Sequence, residues 1–131
     1  MKTYPYPKMF RLLKRPEYRR VYDQGYALDA RTLALFYRRG EDADRPARLG
    51  ITVTKHFGGA VQRNRMKRVL REAFRVAHPR LANGVEVVVN VRRAARDVPA
   101  SVVRADFLNL LARAGLFHDN PDGPPSAADP V

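Results

Sequence analysis

At 131 residues and 45% apolar content, the chain has the size and composition of one domain around one hydrophobic core. It carries 25 Lys and Arg against 13 Asp and Glu, and the absence of cysteine excludes disulfides and thiolate metal sites. No apolar run approaches the roughly 20 residues of a spanning helix, and no N-terminal segment reads as a secretion signal, so a soluble protein is expected.

The charge is unevenly spread. Asp119, Asp122 and Asp129 lie in the last fourteen residues, which hold no Lys or Arg, so the positive excess falls on residues 1–117. Such an excess repels itself in a compact fold unless a polyanion is the partner, which points to nucleic acid ahead of an anionic membrane surface. The alternative is a basic surface kept for solubility.

Residues 1–15 hold five basic side chains and no acid, with Pro5 and Pro7 opposing regular structure, and read as an extended basic arm. The folded domain is expected over 16–117. Pro16 suits the first turn of a short helix, in which Tyr18, Val21 and Tyr22 share a face before Gly25 supplies a stop. Tyr26 to Arg39 reads as β-structure, with Leu33, Leu35 and Tyr37 alternating against Thr32, Ala34 and Phe36. Alternation alone leaves open which of these faces meets the core. After a polar turn over 41–46, Arg48 to Lys55 is rich in β-branched residues and is expected to be the hairpin partner of the preceding strand.

Gly58 and Gly59 break that strand, and 60–77 has helical periodicity: Met66, Val69, Leu70, Ala73 and Ala77 form one stripe, with Phe74 at its edge. Asn64, Lys67, Arg68, Arg71 and Arg75 fall on the opposite side, Arg65 on a flank and Arg63 nearer the apolar boundary. The apolar run from Gly84 to Val91 suits an interior strand. Pro99 can open a last helix with an apolar stripe of Val103, Phe107, Leu110, Leu111 and Ala114 before Gly115. Residues 118–131, with four prolines and three acids, read as a disordered tail.

Five cations lie between Arg63 and Arg71 on a helix that must also bury an apolar face. Neighbouring like charges cost a few tenths of a kcal/mol per pair, and Glu72 alone is at hand to offset them. A phosphate backbone would reverse the sign of every such contribution; the alternative is a solvated basic face. Arginine favours bidentate phosphate contacts, and Asn64 can donate and accept at a sugar or base edge. His56, His78 and His118 are scattered and no carboxylates cluster, so neither a metal site nor a catalytic centre is expected in the protein.

Residues 49–75, LGITVTKHFGGAVQRNRMKRVLREAFR, closely resemble the hallmark region of the bacterial ribonuclease P protein component, whose signature is the Arg63-Asn64-Arg65 core. The resemblance extends through Leu12, Lys14, Tyr18, Val21, Tyr22, Gly25 and Phe36 and downstream through 86–92, covering about residues 10–115. It implies an α/β two-layer sandwich in the order α-β-β-β-α-β-α, with an unusual left-handed β-α-β crossover. The general preference is right-handed, so this handedness rests on the resemblance alone.

The resemblance also implies function. The protein would bind the catalytic ribonuclease P RNA and precursor tRNA in the cytoplasm, promoting endonucleolytic removal of the 5′ leader by an RNA that holds the Mg²⁺. It implies an RNA-facing role for Arg63, Asn64, Arg65, Lys67, Arg68 and Arg71. A leader-binding cleft would contain Tyr18, Tyr22 and Phe36, with Lys55 and Arg92 as basic neighbours. Aromatic platforms suit a leader of variable sequence, because stacking gains about 1–3 kcal/mol per base without reading it; core packing is the alternative for all three rings. The chain departs from the family pattern at His56, where a lysine is common, at Phe57, where a smaller aliphatic is usual, and at Gly59, where asparagine is usual. Competing readings are a structural or ribosome-associated RNA-binding protein, which would lack the aromatic cleft, and a DNA-binding module, which would read bases through a groove-entering helix.

Overall fold

The computed structural model describes residues 10–40, 42 and 44–118, so residues 1–9 of the basic arm and 119–131 of the acidic tail lie outside it. The elements are α1 (Arg15–Gln24), β1 (Tyr26–Asp29), β2 (Leu33–Arg39), β3 (Arg48–Thr52), α2 (Ala60–Ala77), β4 (Val85–Val91) and α3 (Ala100–Arg113), the expected α-β-β-β-α-β-α order. Lys55–Phe57 and Arg93–Asp97 form short 3-10 turns.

The strands form one sheet in the order β1-β2-β4-β3. The expected hairpin between β2 and β3 is therefore wrong. β2 pairs antiparallel with β1 and with β4, while β3 pairs parallel with β4, from Arg48 opposite Glu86 to Thr52 opposite Asn90. β4 is the most apolar strand, and a central position covers both its faces and both its edges. The eight-residue connection over 40–47 is long enough to free β3 from its sequence neighbour, and α2 carries the chain back to make β4 parallel to β3.

Helices cover the sheet on both sides. Leu33, Leu35 and Tyr37 of β2 and Val85, Val87 and Val89 of β4 enter the main core with Leu70 and Phe74 of α2 and Phe107, Leu110 and Leu111 of α3. Phe74 is fully buried rather than at the edge of the stripe, while Val69 is half-buried. Each fully buried side chain of this size contributes about 1.5–3 kcal/mol. α3 ends as its stripe predicts, and Gly115 takes the left-handed φ of 73° that a residue with a Cβ rarely adopts. Thr32 Oγ1 donates to Asp106 Oδ2 at 2.6 Å, tying the start of β2 to α3.

On the opposite face, Val21 of α1 packs with Val88 and Leu12, and Tyr18 and Phe36 close against them. α1 lies close because β3 presents Gly50 beneath it: a Cβ there would sit 2.5 Å from the Tyr18 ring. Leu12 donates its N–H to Leu49 O at 3.1 Å, and Arg11 bridges to Leu49 in parallel, so residues 11 and 12 run along the outer edge of β3.

Candidate nucleic-acid interface

α1 divides its side of the sheet into two unlike halves. Val21 points straight down, fully buried, while Tyr18 and Tyr22 lean to one flank and Glu17, Arg20 and Gln24 to the other. On the aromatic flank, the Tyr22 ring meets Phe36 edge to face with centroids 4.9 Å apart, and its hydroxyl donates to Asn90 Oδ1 at 2.9 Å. Tyr18 is half-buried over Gly50, and burial pushes its phenol pKa up, so it remains an O–H donor at physiological pH. Strand alternation sets Ala34, Thr52 and Asn90 on the same face as Phe36 and Val88. Tyr18, Tyr22 and Phe36 therefore gather on one flank of α1, over a face of the sheet that also carries the polar Thr52 and Asn90.

The opposite flank is an ion-pair chain that was not anticipated. Arg48 is 3% exposed; its Nη1 donates to Glu17 Oε2 at 2.9 Å and its Nη2 donates to Glu86 Oε2. Arg38 Nη1 joins Glu86 Oε1 at 3.0 Å, and Arg38 Nε donates to Gln24 Oε1 at 3.2 Å. Glu17 Oε1 also accepts the N–H groups of Leu13 and Lys14 at 2.7 and 3.0 Å, capping α1. Burial alone would raise the Glu17 pKa, but those two N–H groups and the Arg48 guanidinium outweigh it and hold the carboxyl at about 2. The signal for this flank was present in β4: Glu86 and Asn90 are the two polar residues in an apolar strand, four apart and so on one face, one for each side of α1.

α2 displays the basic stripe. Met66, Leu70, Ala73, Phe74 and Ala77 are buried, Asn64, Arg65, Arg68 and Arg71 are exposed, and Arg63 and Lys67 are half-buried. Arg63 Nη1 donates to Gly58 O at 2.7 Å, which turns that side chain toward the start of the helix. Glu72, the one acid of α2, is engaged by Arg75. Gly59 occupies the N-cap, and Gln62 Oε1 accepts its N–H at 2.8 Å, the half of a capping box that a glycine N-cap can still make.

Lys55 and Arg92 follow the C-terminal ends of the parallel strands β3 and β4, the end at which Tyr22 reaches Asn90. Both are exposed, and Arg92 Nη2 pairs with Asp29 Oδ1 at 2.8 Å. At the β3 edge, a recess of about 230 Å³ is lined by Tyr18 and Ile51, by Arg11, and by Lys67 and Arg71 of α2. Tyr18 of the aromatic flank and two cations of α2, on different sides of the sheet, thus share one recess around its edge.

A family model described as Ribonuclease P matches residues 6–115. The chain belongs to the ribonuclease P protein family. A ribonuclease P protein component from Symbiobacterium thermophilum is 39% identical over 110 residues, covering 84% of this chain and 95% of its own. A structure of a Staphylococcus aureus RNase P protein mutant with defective mRNA degradation activity aligns with a TM-score of 0.79 at 30% identity, covering 84% of this chain and 92% of that one. The RNase P protein from Thermotoga maritima aligns with a TM-score of 0.70 at 32% identity, over 79% of this chain and 96% of that one. Membership in this family makes the chain the protein part of a tRNA-processing endoribonuclease with an RNA partner. No described helix is long and apolar enough to cross a membrane.

Proposed function

We propose that α2 binds the catalytic RNA of ribonuclease P while the cleft beside α1 holds the 5′ leader of precursor tRNA, and that the protein works in the cytoplasm. The observation that carries this reading is the shared recess at the β3 edge, where Tyr18 meets Lys67 and Arg71. A strand leaving the tRNA body could stack on Tyr18, Tyr22 and Phe36 and, turning at the β3 edge, keep its phosphates beside α2. Asn64, Arg65 and Arg68, further along the exposed stripe, and Arg63 with its remaining donors, would meet phosphates of the catalytic RNA. Lys55 and Arg92 would flank the far end of the leader.

The protein's contribution is electrostatic. Among the described residues no three His, Asp or Glu side chains gather into a metal-binding group. We assign the Mg²⁺-dependent hydrolysis to the RNA, whose phosphates supply hard oxygen ligands. The cations of α2 lower the repulsion between the two RNAs, which raises precursor affinity most where Mg²⁺ is scarce.

The test is 5′ cleavage of a precursor tRNA by a bacterial ribonuclease P RNA at low Mg²⁺, with no protein, with this protein, and with its Arg65→Ala, Arg68→Ala double variant. The intact protein is expected to restore cleavage. The double variant should bind the RNA about tenfold more weakly, with its log–log salt slope reduced by about 2. Cleavage without added RNA, or no stimulation by the intact protein, would refute the assignment.

A further inference from the structure

A second recess, of about 200 Å³, lies on the side of the sheet away from the leader cleft, between the first turn of α2, the start of α3 and the two 3-10 turns. Its apolar lining is Phe57, Met66 and Ala95, all buried in the main core, with half-buried Val98. Arg65 and Arg96, both exposed, lie at its mouth from two different elements. Beside them is Asp97, exposed and making no hydrogen bond or ion pair among the described residues. None of the roles assigned so far accounts for Arg96 or Asp97.

The chemistry of this lining is selective. A recess floored by buried apolar side chains and edged by two guanidiniums, the Gln62 amide and the Asp97 carboxylate complements a nucleobase splayed out of its stack. The two guanidiniums favour a polyanionic chain at the mouth over a neutral peptide. A carboxylate only accepts hydrogen bonds, through two oxygens side by side. Guanine alone among the four RNA bases sets two N–H donors, N1 and N2, next to each other on its pairing edge; the other three place a lone pair beside every donor. Its O6 and N7 are acceptors that suit arginine.

We propose that this recess takes one unpaired guanine of the RNA partner, with Asp97 accepting from N1 and N2 and with Arg65 and Arg96 donating to its acceptors and the adjoining phosphates. This rests on the reading of the partner as RNA. It makes Asp97 a specificity residue within an otherwise cationic surface. Because Arg65 belongs to the part of the α2 stripe assigned above to the catalytic RNA, the guanine is assigned to that RNA rather than to the leader.

The test uses the full chain with ribonuclease P RNA and two variants. Asp97→Asn removes the paired acceptor at an exposed position, and Ala100→Leu fills the recess with a good helix former at a half-buried site. Kethoxal, which reacts with guanine at N1 and N2, reads occupancy directly. The intact protein is expected to protect one unpaired guanine that reacts in the free RNA. Both variants should lose that protection and bind the RNA about tenfold more weakly, with unchanged preference for long over short leaders. The sign of the Asp97→Asn effect is decisive: a carboxylate that only repels phosphate would give tighter binding when neutralised, and tighter or unchanged binding overturns the proposal. Protection that is absent in all complexes, or that survives in both variants, overturns it too. If the intact protein does not bind the RNA at all, the ribonucleoprotein reading itself falls.

Discussion

The two faces of the sheet are held by different forces. Under α2 and α3 more than twenty buried side chains interlock, and that face has little room to move. Under α1 the fully enclosed apolar set is Leu12, Val21 and Val88, and much of the remaining attachment is the chain Glu17–Arg48–Glu86–Arg38. A packed face makes a rigid base for a cationic helix. A face held along one flank by ion pairs leaves the other flank open, and there Tyr18, Tyr22 and Phe36 meet solvent.

Cutting into each face should give unequal losses. Phe107→Ala, in the packed face, is expected to cost about 3–5 kcal/mol in urea unfolding. Val21→Ala should cost about 2 kcal/mol or less, since it removes two methyl groups from a smaller cluster. It should also weaken binding of long-leader precursors more than that of mature tRNA, because α1 carries two of the cleft rings. Equal losses in stability would mean that the α1 face is packed as tightly as the other.

Acid sharpens the contrast. Glu17 has a folded pKa of about 2 against an ordinary 4.5, so its contribution is fully present above pH 4.5 and is lost as the pH falls from 4.5 toward 2. The loss expected over that window is about 1–2 kcal/mol, discounted for the water that reaches the pair. Urea midpoints measured across the window should fall for the intact protein and fall less for Glu17→Gln. Parallel curves would remove Glu17 from the α1 attachment.

The smallest effect concerns the start of α2. At Gly59 the backbone φ is −72°, and an added Cβ would meet Gln62 Oε1 at an ordinary 3.7 Å, so the asparagine usual in the family fits there. Gly59→Asn should raise stability by a few tenths of a kcal/mol, because asparagine caps a helix slightly better than glycine and Gln62 already supplies part of the cap. A thermal melt that moves down instead would show that Gln62 and the new side chain compete.

Much of this protein could be read from local periodicity. The 60–77 helix has the ends that its periodicity sets, α3 buries four of its five stripe residues with Ala114 buried just past its end, and the largely apolar run of β4 pointed to an interior strand. The basic stripe of α2 was equally legible, since a helix with one face in the core must turn its cations outward. Strand order was not. Pairing partners are chosen by how well both faces of the sheet become covered, and that depends on helices far away in sequence; the wrong hairpin between β2 and β3 came from treating neighbours in sequence as neighbours in space. The ion-pair chain joins residues 17, 38, 48 and 86, and no local pattern connects them. Likewise, the face of Phe36 was undetermined until α1 was placed over Gly50. The sequence by itself determined the elements, their buried stripes and the polyanionic partner, because these follow from spacing and charge. Only the tertiary structure decided which side of the sheet stays open and how the aromatic cleft meets the cationic helix, because both depend on groups brought together by the fold.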